Sequence, residues 1–145
     1  MGWFLLQDGY ISQDQYEKAV SALTESRMRH GGKSCVSFLL ELSYLEGIEI
    51  DKILGFLAYR SNTPYIDLSR FELNDEVTGL IPPDKCRSLG VLPFAQLRDE
   101  VMVAILNPFH DTLISSLTEF LDEKPHFYLC KPETLNNITG ELNET

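Results

Sequence analysis

The apolar positions of the chain change rhythm partway along. Up to Arg60 they recur at helical spacing; beyond Leu68 they gather in short runs broken by prolines. The first part contains a repeat. Trp3-Phe4-Leu5-Leu6-Gln7-Asp8-Gly9-Tyr10-Ile11 aligns with Ser37-Phe38-Leu39-Leu40-Glu41-Leu42-Ser43-Tyr44-Leu45. Each copy reads as a short apolar helix, a small residue, an aromatic-aliphatic pair and a second helix. Two copies predict two helix-turn-helix hairpins packed on each other, because such a unit buries little alone. The stretch Ser34 to Asp67 is the centre of this organisation.

In the first copy Gly9 ends the opening helix, since glycine accepts the left-handed conformation found there. Ser12 and Gln15 have the spacing of a capping box, and Tyr16, Ala19, Val20 and Leu23 form one apolar face. In the second copy Val36, Leu39 and Leu40 form the face, and Glu46-Gly47-Ile48 is a small insertion. Asp51 is the expected cap of a helix carrying Ile53, Leu54, Leu57 and Ala58. Asn62-Thr63-Pro64 stops it, because the residue before proline avoids the helical region.

The second half alternates short strands and helices. Tyr65 to Leu68 reads as a strand, Asn74 to Leu80 as a helix capped by Asn74, and Asp84 to Ser88 as a further helical turn closed by Gly90. Val91 to Leu97 and Val101 to Leu106 form a hairpin across Arg98-Asp99-Glu100. Asp111 is the expected cap of an amphipathic helix with Leu113, Ile114, Leu117, Phe120 and Leu121, stopped by Lys124-Pro125. His126 to Cys130 is a strand, and Pro132 opens a last helix that fades near Gly140. The expected class is α+β: duplicated helical hairpins, then a small antiparallel or mixed sheet covered by helices. The expected division is 1–62 and 63–145, with a short junction at Ser61 to Pro64 that is either rigid or hinged.

Charge narrows the partners. Twelve basic against 22 acidic residues give a net charge of -10, which excludes nucleic acid as a bulk partner. A small anion held by local basic groups and backbone N–H groups remains compatible. Arg27-Met28-Arg29-His30-Gly31-Gly32-Lys33 is the dense basic cluster of this acidic chain. It reads either as a solvated helix end with a glycine loop or as an anion-binding or docking loop. Cys35, Cys86 and Cys130 are odd in number and widely spaced, which fits reduced thiols in a cytoplasm. Met1 to Leu6 lacks the basic start of a signal peptide and no run approaches the length of a membrane span, so neither a leader nor direct membrane insertion is expected.

No catalytic constellation emerges. There is no phosphate-binding glycine loop ending in Lys-Ser or Lys-Thr, and His30, His110 and His126 are scattered. His110-Asp111 is adjacent in sequence, yet such neighbours face different ways at a helix start. No cofactor, metal site or enzyme activity is expected.

The order of tags is more informative. After the duplicated hairpin come Thr63-Pro64-Tyr65-Ile66-Asp67-Leu68, Leu80-Ile81-Pro82, Gly90-Val91-Leu92-Pro93, Val101-Met102-Val103-Ala104, Asn107-Pro108 and Lys131-Pro132-Glu133. This set resembles the N-terminal (MshEN) domain of type II secretion and type IV pilus assembly ATPases. The resemblance implies a non-catalytic regulatory domain that docks onto secretion or pilus assembly proteins, such as an ATPase motor or an inner-membrane platform component. One branch of the family binds cyclic di-GMP through two copies of a motif with Arg-Leu-Gly, aliphatic pairs, a Gly and a closing Gln.

Carried over by residue, the resemblance implies a divergent ligand set. Gly2, Leu5, Leu6 and Gly9 fit the first copy, with Leu23 where the glutamine would stand. In the second copy Ser34-Cys35-Val36 replaces Arg-Leu-Gly, Leu39 and Leu40 fit, Ser43 replaces the glycine and Arg60 the glutamine. Asn107 occupies an aspartate position, and Arg29 and Lys33 of the basic loop are candidate substitutes for the missing arginines. The expected function is therefore protein docking in the cytoplasm, at the inner-membrane face; the alternative is a cyclic di-GMP receptor with a divergent site.

Overall fold

The computed structural model describes residues 2–29, 37–121 and 124–142. The basic cluster from His30 onward, together with Ser34, Cys35 and Val36, lies outside the described residues.

Among the described residues four helices form the first half: α1 (Gly2–Gln7), α2 (Gln13–Arg29), α3 (Phe38–Ser43) and α4 (Ile50–Ser61). Gly9 adopts φ +79° between α1 and α2. The capping box forms as expected: Ser12 Oγ accepts from the Gln15 N–H at 3.1 Å, and Gln15 Oε1 accepts from the Ser12 N–H at 2.8 Å. The repeat survives in burial at some of its matched positions, whereas Asp8 is exposed and its counterpart Leu42 is enclosed. Leu5 and Leu39 are fully enclosed, while the matched Tyr10 and Tyr44 are both exposed.

The cap of α4 differs from expectation. Glu49 holds the cap position without a side-chain bond, and Asp51 lies inside the first turn. The apolar register of Ile50, Ile53, Leu54 and Leu57 starts the helix early, and the Asp51 carboxylate pairs with Lys131 at 3.4 Å. Asn62 closes α4 in the left-handed region at φ 56°.

The expected strand at Tyr65 to Leu68 is reduced to a single parallel bridge, Tyr65 to Leu129. Asp67 ends it: its carboxylate accepts from the Ser69 N–H at 3.1 Å and the Ser69 hydroxyl at 2.6 Å, winding Leu68–Arg70 into a 3₁₀ turn. Then follow α5 (Asp75–Thr78), with Asn74 capping as expected, and α6 (Pro83–Leu89), which stops at Gly90 with φ +68°.

The sheet has three strands in the order β1 (Val91–Leu97), β2 (Glu100–Ile105), β3 (Lys124–Leu129). β1 and β2 form the expected antiparallel hairpin, with a bulge between Pro93 and Ala95, and β3 runs parallel to β2. Pro125 lies within β3 instead of ahead of it, which an edge strand tolerates. Between β2 and β3 runs α7 (Asp111–Phe120), and α8 (Pro132–Leu142) completes the α+β fold. His110, not Asp111, caps α7: its Nδ1 accepts from the Leu113 N–H at 2.9 Å, and Asp111 sits in the first turn. The imidazole one residue earlier reaches the N3 amide, and the Asp111 charge still complements the helix dipole.

Two apolar cores result. The helical core joins Leu5, Ile11, Ala19, Leu39, Leu42, Ile53, Leu54 and Leu57. The sheet core includes Leu68, Val77, Ile81, Cys86, Phe94, Val103, Ile105 and Leu135. Each takes one residue from the other half: Leu129 of β3 belongs to the helical core, and Leu40 of α3 to the sheet core. The junction is pinned as well. Leu129 donates its N–H to the Pro64 carbonyl at 2.8 Å and accepts from the Ile66 N–H at 2.9 Å.

Candidate functional site

The C-terminal turn of α4 meets the start of α1 and the segment after β2. Here the Arg60 guanidinium carbon lies 4.8 Å above the centre of the Phe4 ring. Phe4 also packs against Phe109 at 4.9 Å and edge-on against Trp3 at 5.3 Å. Asn107 shapes the third side: its Oδ1 accepts from the Phe109 N–H at 3.1 Å, turning the chain so that the Phe109 ring reaches Phe4. One arginine, one amide and three aromatic rings thus share a surface formed by both halves of the chain.

The sequence-derived candidates divide. Arg60 and Asn107 come together around Phe4 and Phe109. Gly2 permits close approach of α1 to the other helices, since a Cβ there would meet the Tyr16 ring at 2.6 Å and the Phe38 ring at 3.0 Å. Leu5, Leu39 and Leu40 are enclosed in the two cores, and Leu6 packs on the helical one. Gly9 is exposed at the turn after α1. Arg29 is the last residue of α2, and Lys33 and Ser34 lie outside the described residues.

Sequence reading missed Trp3, Phe4 and Phe109. Their signal was faint, because an aromatic in an apolar run reads as core; Trp3 is 58% exposed, beside a half-buried Phe4.

A second polar group ties the halves at the far end of α4. Lys131 is pushed above its usual value by the Asp51 charge and the hydrogen bond to it. Tyr65, next to it, is raised chiefly by burial, and Lys131 opposes this. Among the described residues no cluster of three or more His, Cys, Asp or Glu side chains could hold a metal. No described helix is long and apolar enough to cross a membrane.

The profile of the MshEN domain family matches residues 61–145, and the chain belongs to that family. The type IV pilus assembly ATPase PilB of Thermus thermophilus is 32% identical over 125 residues, which cover 84% of this chain and 13% of that protein. The chain thus spans a small part of the length of this curated relative. A structure of MshE with cyclic di-GMP is similar across 97% of this chain and 96% of that one, at 25% identity and a TM-score of 0.62. The N-terminal domain of XpsE shares the fold, at 14% identity and a TM-score of 0.55 over 93% of this chain and 88% of that one.

Proposed function

We propose that this domain is a non-catalytic docking module of a type IV pilus or type II secretion ATPase, joining the motor to assembly proteins at the cytoplasmic face of the inner membrane. The observation that carries the reading is the alignment with PilB over 84% of the chain, within the MshEN family. Residues 1–62 and 63–145 are taken as its two subdomains, and the shared residues Leu40 and Leu129 support their working as one rigid unit. Co-expression with the pilus and secretion assembly proteins of its host tests this. Stable co-purification with one of them is the expected result; failure to associate with any would overturn it.

A second reading is favoured by one contact. Arg60 over Phe4, with Phe109 brought onto the same ring by the Asn107 turn, offers a cation and aromatic groups to an anionic nucleotide. MshE, the relative solved with cyclic di-GMP, is similar over almost the entire chain. In this reading the domain is a cyclic di-GMP receptor with a divergent set: Gly2, Leu5, Leu6 and Gly9 of the first copy, Ser34, Leu39, Leu40 and Arg60 of the second, Asn107, and Arg29 with Lys33 in place of the missing arginines. Calorimetric titration with cyclic di-GMP decides it: micromolar binding lost in Arg60→Ala supports a receptor, and no heat at millimolar nucleotide removes it.

A further inference from the structure

The Arg60–Phe4 contact leaves binding capacity unused. A guanidinium held over a ring by its charge still carries five N–H donors that the ring does not use up. Among the described residues those donors make no hydrogen bond and no carboxylate pairs with Arg60. An aromatic stripe continues along α4. The Tyr10 ring lies 4.5 Å from Phe56, and Phe56 precedes Arg60 by one helical turn. Trp3 is 58% and Tyr59 87% exposed beside it. Trp, Tyr and Arg are the residue types that dominate the energy of protein interfaces.

We infer that this stripe docks an amphipathic helix of a partner protein that carries one carboxylate in the middle of an apolar face. The inference rests on the docking reading. A twelve-residue helix such as α4 is about 18 Å long, so a helix laid alongside it can cover Tyr10, Phe56, Phe4 and Trp3 at once. The single carboxylate meets the open Arg60 fork, a charge-assisted and directional contact. Charge sets the flanks. Glu49 and Asp51 are paired with Lys52 and Lys131, Asp8 is exposed just past α1, and the chain carries a net charge of -10, so a polyacidic segment is repelled. Basic residues at both ends of the partner helix suit that rim. Lys52 offers no second acceptor site for acid, because Glu49 already holds its ammonium at 2.8 Å.

The probe is a synthetic helical peptide of about 16 residues, roughly 24 Å long. It has a leucine face, one central glutamate on that face and lysines at both ends; a control peptide has glutamine there instead. Titrated into the complete chain and followed by NMR, the glutamate peptide is expected to shift signals in α1, α4 and around Phe109. Arg60→Ala and the glutamine peptide each weaken binding about tenfold, and the two together weaken it no further, as for one direct pair. Retention of the melting temperature confirms that Arg60→Ala remains folded. No binding at millimolar peptide, equal affinity of the two peptides, or shifts mapping elsewhere overturns the inference. Assembly proteins that bind wild type and Arg60→Ala alike remove this surface and leave docking intact. Peptide binding as described, without association of any assembly protein, keeps the surface and removes the docking reading.

Discussion

Leu129 is bonded on both sides to the segment that joins the two halves: its N–H to the Pro64 carbonyl at 2.8 Å and its carbonyl to the Ile66 N–H at 2.9 Å. Its side chain, fully enclosed, completes the core of the helical hairpins. A single residue of the sheet thereby anchors the junction and the far core.

Leu129→Ala is expected to cost about 2–5 kcal/mol, the range for large-to-small changes in a close-packed core. Because the cores share residues, the two halves are expected to unfold together. The sole tryptophan, Trp3, reports on the helical half, and far-ultraviolet circular dichroism on the entire chain. Coincident urea transitions by the two probes check this; separated transitions would show independent halves.

Arg98 adopts φ 61° at the first position of the two-residue turn between β1 and β2. An L side chain pays strain there that glycine does not. Arg98→Gly is expected to raise stability by about 0.5–1 kcal/mol, read as a higher urea midpoint with an unchanged slope.

Arg87 is a buried cation with little compensation. It is 3% exposed and, among the described residues, donates one 3.4 Å hydrogen bond to the Thr139 carbonyl near the end of α8, while its Nε finds no partner there. Replacing such a charge by an apolar side chain of similar volume is often neutral or stabilising. Arg87→Met is expected to match or exceed the parent in thermal melts. Arg87→Ala, which leaves a cavity, is expected to lose about 2–3 kcal/mol.

Two exposed groups give stability opposite pH dependences. The Ser69 hydroxyl and N–H, aided by Arg70, hold the Asp67 carboxyl below its ordinary 3.8. A lowered pKa gives stability that is present above the unfolded value and lost as pH falls through the folded one. Lys131 is raised from 10.5, chiefly by the Asp51 charge, so its contribution is complete below that value and lost as pH rises beyond it. Asp67→Asn is therefore expected to lower the urea midpoint at neutral pH and to converge with wild type as pH falls through the lowered Asp67 value. Asp51→Asn is expected to converge with wild type as pH rises through the raised Lys131 value.

What could be read from the chain was mostly local. The Ser12–Gln15 box, the Asn74 cap, the stop at Asn62 and the β1–β2 hairpin depend on residues within a few positions of one another. Local rules also erred locally: Asp51 and Asp111 are good cap residues, yet core register and the reach of His110 moved both starts by a residue or more. The truncation of the strand at Asp67 rests on its bond to Ser69, a turn signal that competes with an apolar run. For the site, sequence similarity pointed to Arg60 and Asn107, but their meeting around Phe4 depends on how the two halves pack, and hydrophobic spacing carries no record of that.

The shared place of Leu129 also orders events in time. On the ribosome, residues up to Ser61 leave the exit tunnel before the sheet does and can wind into helices, since their contacts are close in sequence. Their core stays open until β3 has been synthesised and threaded parallel to β2. The helical half therefore stays unclosed until β3 has emerged, and the step that seals it is the arrival of one leucine.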